Sequence, residues 1–133
     1  MKFLSTKVVM WIYVALNVLV GVFSLLTGQS AADTGWGSTN VMTHDKFYEQ
    51  GYGIAFLAIA VIAFGITMWT TGKVQAKLTL LSGLATAVFM FGFAIMASAN
   101  SPKYTIGAPY WIFGGVLILF TAISGSQGLK SDN

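Results

Sequence analysis

Seven lysines and four acidic residues are the only charges in this 133-residue chain, and their placement leaves four long gaps. No Asp, Glu, Lys or Arg occurs in Val8–Ala32, Gln50–Gly72, Leu78–Pro102 or Tyr104–Leu129. Each gap holds about twenty mostly apolar residues, enough for a helix to cross a hydrocarbon layer of roughly 30 Å. The runs are continuous instead of alternating, so barrel strands are excluded. A lone segment in lipid must also satisfy its own backbone, which leaves the helix. The expected fold is an all-α integral membrane bundle of four transmembrane helices in a single domain over 1–133. The spans fall at about 8–27, 52–70, 78–98 and 108–125, with an outer loop at 28–51.

Composition supports this reading. The chain is 56% hydrophobic and 8% charged, whereas a soluble domain needs roughly a quarter to a third of its surface charged. The absence of Cys removes disulfides, thiolate metal sites and cysteine nucleophiles. Met1–Lys7 followed by an apolar run resembles a signal peptide, and Ser30-Ala31-Ala32 offers small residues for cleavage. The run Val8–Thr27 exceeds the usual signal core of about 7–15 residues, so it is read as an uncleaved first helix.

Lysine placement sets the expected orientation. Lys2, Lys7, Lys73, Lys77 and Lys130 fall on one side, and Lys46 and Lys103 on the other. Both termini and the short middle connection are therefore expected in the cytoplasm, an N-in/C-in arrangement in a cytoplasmic (inner) membrane. Trp11, Trp36, Trp69, Tyr110 and Trp111 are expected to anchor the interfaces. The scattered lysines give no basic cluster, so no nucleic-acid partner is expected. The connection Thr71–Lys77 is short, which predicts an antiparallel hairpin of the second and third helices. Pro109 sits where a first-turn proline is tolerated in the fourth.

The densest polar cluster is Thr43-His44-Asp45-Lys46-Phe47-Tyr48-Glu49-Gln50. If helical, it places Asp45 and Glu49 one turn apart on the same face. His44, Asp45 and Glu49 are thus candidate ligands for a metal or cation, with Met42 nearby. Capping is the plainer reading: Thr43 or Asp45 accepts from first-turn amides, and Lys46 pairs with Glu49 or Gln50. A lone His is a poor zinc or copper site. No metal or other cofactor is predicted. Met10, Met68, Met90 and Met96 are spread over three helices, as gap fillers are, and form no copper path.

Small residues recur at helical spacing: Asn17, Gly21, Ser24 and Gly28 on the first helix, and Gly114, Thr121 and Gly125 on the fourth. Gly51 and Ala55, Ser82 and Thr86, and Gly83 and Ala87 extend the pattern to the other two. In lipid, where hydrophobic drive between helices is weak, such residues let backbones approach. They are expected to seal the bundle or to contact a partner subunit. Asn17 is expected to act as interhelical glue through Thr86, Thr121 or a carbonyl on another helix.

No span carries an ionisable group of the kind that couples pumps, proton-driven transporters or voltage sensors. There is also no phosphate loop, HExxH or dinucleotide fingerprint. The sequence points to a non-catalytic protein, an accessory or structural subunit whose partners are the lipid bilayer and other membrane-protein subunits. Respiratory, photosynthetic and membrane-oxygenase complexes all fit. A channel or carrier for a small neutral substrate, lined by Asn17, Thr67, Thr86 and Thr121, is the alternative. A metal- or pigment-binding subunit built on His44 is the third. The layout of four helices, with both ends inside and a longer first outer loop, resembles small DoxX-like membrane proteins. That resemblance covers the whole chain as topology, includes no motif and transfers no functional residue.

Overall fold

The computed structural model describes residues 4–130 and contains four helices: α1 (Thr6–Trp36), α2 (Asp45–Trp69), α3 (Gly72–Ala99) and α4 (Ala108–Lys130). All four are long and apolar enough to cross a membrane. They run up and down, so the start of α1, the α2–α3 turn and the end of α4 share one end, called here the terminal end. The α1–α2 and α3–α4 connections share the other, the loop end. Lys7, Lys73, Lys77 and Lys130 lie at the terminal end, and Lys46 and Lys103 at the loop end. Lys2, also counted above, lies outside the described residues.

The first helix is longer than its apolar run. Ser5 caps it, its hydroxyl accepting from the Val8 amide at 3.3 Å. At Thr27 the backbone leaves helical geometry (φ −113°, ψ 17°), and the Thr27 hydroxyl donates to the Phe23 carbonyl at 2.8 Å. Such back-bonding bends helices. Beyond this kink α1 continues to Trp36 and ends at Gly37, whose φ of 81° suits a residue without Cβ. Its 31 residues span about 46 Å at 1.5 Å per residue. The expected 28–51 loop is thus mostly helix, and only 37–44 connects α1 to α2. Likewise only Thr70 and Thr71 separate α2 from α3, and Lys73 and Lys77 are already helical. Pro109 falls in the first turn of α4 as expected.

The predicted pairing of the second and third helices needs correction. The extensive packing is α1 with α2 and α3 with α4, while α2 and α3 touch least of the pairs in contact. Side-chain size explains this. Gly21 and Gly53 sit back to back: a Cβ on Gly21 would lie 2.9 Å from the Gly53 carbonyl oxygen, and one on Gly53 would lie 2.7 Å from that of Gly21. Gly28 sits as closely on Gln50 and the Lys46 carbonyl. In the other hairpin Gly83 meets Thr121, Gly114 meets Met90, and Gly125 meets Leu80. Between α2 and α3 stand Tyr52, Phe56, Phe89 and Phe93, rings at 5.6–6.5 Å that hold the helices apart.

The interior is small and polar, and the exterior is large and apolar. Thr67, Thr79, Thr121, Ser124 and Gln75 are buried with Val9, Met10, Tyr13 and Asn17, whereas Leu26 is 80% and Val61 71% exposed. The buried threonines satisfy their hydroxyls on their own helices: Thr67 on Ala63, Thr79 on Gln75 and Thr121 on Leu117, all at 2.7–2.8 Å. Met10, Tyr13, Ala63 and Leu117 fill the centre where the hairpins meet.

Candidate functional site: the loop-end cluster

A polar cluster drawing on four segments lies at the loop end, where the α3–α4 connection folds back onto α1 and α2. The Tyr104 amide donates to the Ala97 carbonyl at 3.2 Å, keeping the connection on its own hairpin. The next amide, that of Thr105, crosses to the Gly35 carbonyl at 2.7 Å. The Tyr104 hydroxyl donates to Glu49 Oε1 at 2.7 Å. The Tyr104 ring meets Trp36 edge-on at 5.1 Å and Phe93 at 5.5 Å. It occupies the space a side chain on residue 35 would need, since a Cβ there would overlap it. Gly35 is thus required by a close approach.

Burial pushes the Tyr104 phenol above its ordinary 10.0, and its bond to the Glu49 carboxylate raises it further. Tyr104 therefore stays protonated at neutral pH and acts as the donor to the Glu49 carboxyl, whose own pKa burial pushes up and the Tyr104 bond pulls back. Gln50 makes a second tie, donating to the Leu25 carbonyl at 3.1 Å across the α1–α2 interface. Tyr110 donates to the Met90 carbonyl at 3.0 Å and packs on Phe93, extending the cluster to α4.

The candidate ligands do not converge. Asp45 Oδ2 accepts from the Met42 amide at 2.7 Å, and Glu49 faces Tyr104. His44 stands 3.7 Å from Asp45 and edge-on to Tyr48. Among the described residues no three His, Cys, Asp or Glu side chains gather as a metal site would require. The capping details also differ from expectation. Asp45 is the first helical residue, so its carboxylate turns back to residue 42 and accepts no amide further along the helix; Thr43 makes no cap. Lys46 pairs with neither Glu49 nor Gln50 among the described residues, because both are engaged with other segments.

The packing residues are placed more nearly as read. Gly21 and Gly28 face α2, while Gly114, Thr121 and Gly125 face α3; Ser24 is half-buried. These stripes are used inside the chain. Gly51, expected to pack, has open space around it, and Gly53, two residues on, makes the contact. Asn17 is buried but donates to the Tyr13 carbonyl of its own helix at 2.8 Å. The link to another helix is instead made by Tyr13, whose hydroxyl lies 2.8 Å from that of Thr86 and 3.3 Å from the Ser82 carbonyl. Among the aromatic anchors, Trp69 is exposed, Trp11 packs on Phe64, and Trp111 bridges Phe91 and Tyr110. Trp36 is half-buried against Tyr104.

Two inter-helix cavities open sideways. One of about 240 Å³ lies between α3 and α4, walled by Leu80, Gly83, Leu84, Ala87, Ile118, Thr121 and Ala122. One of about 20 Å³ lies between α2 and α3, walled by Tyr52, Ala55, Phe56, Ile59 and Phe89. Sequence reasoning missed the Tyr104 cluster. Its members, Gly35, Trp36, Glu49, Phe93 and Tyr104, come from four separate segments, and the signal in the sequence was that Tyr104 and Glu49 fall on the same side of the bundle. No protein-family model matches the chain, and no curated protein or solved structure does either.

Proposed function

We propose that this is an integral membrane protein with both termini in the cytoplasm, and that it serves as a non-catalytic accessory subunit packed against other membrane proteins. The observation that carries the membrane reading is the inverted distribution of side chains. Thr67 and Thr121 are at most 1% exposed, while large aliphatic and aromatic side chains cover the outside of all four helices. Water would penalise that exterior; hydrocarbon would not. Placement of four described lysines at the terminal end against two at the loop end supports the orientation.

Support for a subunit over a channel or carrier comes from the filled centre. The hydroxyls and amide that would line a polar path are bonded within the protein: Thr67 and Thr121 to their own helices, Asn17 to Tyr13, and Thr86 to Ser82 and Tyr13. The cavities lie at the sides and have mostly aliphatic or aromatic walls. With these groups paired, and only the Ser124 hydroxyl left buried without a partner among the described residues, what remains to present to a partner is apolar helix surface. Purification from native membranes in a gentle detergent, followed by mass spectrometry of the co-purifying chains, tests the reading. A defined set of membrane-protein partners is expected. A free monomer that passes neutral solutes in liposomes would replace the subunit reading with the carrier reading.

A further inference from the structure

We propose that the Tyr104–Glu49 hydrogen bond is a latch that holds the two hairpins together at the loop end, and that releasing it parts α2 from α3 along their aromatic seam. Four features of the geometry lead there. Each hairpin is sealed by its own glycine contacts, α1–α2 at Gly21 and Gly53 and α3–α4 at Gly83, Gly114 and Gly125, and so keeps its shape when the other moves. At the terminal end α2 and α3 are pinned by a two-residue turn and by Gln75, which donates to the Thr70 carbonyl at 2.9 Å. Further along, α2 and α3 meet through rings, Tyr52 and Phe56 against Phe89 and Phe93. Edge-on rings with a small void beside them can slide without breaking a directional bond. At the loop end two hydrogen bonds cross between the hairpins, Tyr104 to Glu49 and Thr105 to Gly35, and both belong to adjacent residues of one short connection.

The arrangement is a hinge with a clasp at its far end. The turn at Thr70–Thr71 is the hinge, and the Tyr13–Thr86 hydroxyl pair ties α1 to α3 along the helices. Opening at the loop end breaks the two clasp bonds and the ring contacts around Tyr104, while the glycine contacts lie inside the hairpins and the Tyr13–Thr86 tie lies part-way back toward the hinge. Tyr104 also fills the space above Gly35, so the clasp is seated by shape as well as by hydrogen bonding.

The chain contains no Cys, so paired spin labels can be introduced at chosen positions. One pair, Ile54→Cys with Ile95→Cys, uses exposed residues of α2 and α3 to report on the seam; a control pair, Ile95→Cys with Ile112→Cys, stays within the α3–α4 hairpin. Distances are measured by pulsed electron resonance on the full chain in phosphatidylcholine vesicles. Tyr104→Phe keeps the ring and removes only the hydroxyl, so folding is preserved. It is expected to lengthen and broaden the seam distance while leaving the control unchanged. Gly35→Ala, which displaces the ring, should do the same, and adding Glu49→Ala to Tyr104→Phe should add nothing further. A seam distance unchanged in both Tyr104→Phe and Gly35→Ala overturns the proposal. So does an equal change in seam and control distances, which would make the bond a general stabiliser.

Discussion

The contact inside each hairpin and the contact between the hairpins are built from opposite materials. Inside, glycines remove side chains until backbones nearly touch, as at Gly21 and Gly53. Between, bulky rings and a few hydroxyls meet at longer range, as at Phe56–Phe89 and Tyr13–Thr86. In the hydrocarbon setting proposed for this chain, where burying apolar area brings little gain, close dispersion contact would decide which helices pair. The helices joined by the shortest turn are consequently not the ones that pack best. Proximity along the chain sets topology, and small residues at matching heights set affinity.

The contrast predicts a graded set of effects. Gly21→Leu should be the most damaging, since its side chain would be driven into Leu57 and the Gly53 carbonyl. A loss of at least about 3 kcal/mol is expected, at the upper end for overpacking, measured as unfolding in mixed micelles. Unchanged stability would mean the α1–α2 contact is not formed. Tyr104→Phe should cost about 1.5–3 kcal/mol, the range for a hydrogen bond to a charged group. Tyr13→Phe, which loses the bond to Thr86, should cost about 0.6 kcal/mol, the average for a polar contact between membrane helices. A reversed order of these two would put the main tie between the hairpins at Tyr13. Gly115→Leu faces open space and should stay within about 0.5 kcal/mol of the parent. A large loss there would reveal a contact made by another copy or subunit.

Tyr104 adds a pH dependence with a definite sign. Its folded pKa is raised above the unfolded value of 10.0, so its contribution to stability is fully present below that value. It is lost as the pH climbs through the raised folded value. Alkaline titration followed by phenolate absorbance should therefore show Tyr104 ionising late, together with loosening of the fold, and Tyr104→Phe should reduce the late amplitude by one tyrosine. A Tyr104 that ionises at the ordinary phenol value of 10.0 would show that the loop-end cluster is open.

The four helices were legible because charge is costly at membrane depth and its absence from four runs is plain in the sequence. Gly21, Gly28, Gly114 and Gly125 were legible as packing residues because a helix repeats its faces. The partners were harder to read. Gly51 and Gly53 are both glycines near one helix end, and only rotation about α2 decides which faces α1. The helical stretch Gly28–Trp36 was hidden because it is polar and glycine-bearing, and it is held from outside by Tyr104 and Gln50. Asn17 was read as a link between helices, but the carbonyl four residues back lay within reach and took its proton. The Tyr104 cluster depends on residues far apart in sequence, which local periodicity does not register.

Accessibility of single cysteines to a membrane-impermeant thiol reagent tests the central claim most directly. Ser38→Cys and Lys103→Cys sit in the two loop-end connections, and Thr71→Cys in the turn at the opposite end; all three positions are exposed. On intact cells the first two should react, and the third should react only after the membrane is permeabilised. Reaction of all three from outside, or release of the chain by alkaline carbonate without detergent, would contradict a bundle that crosses the bilayer four times.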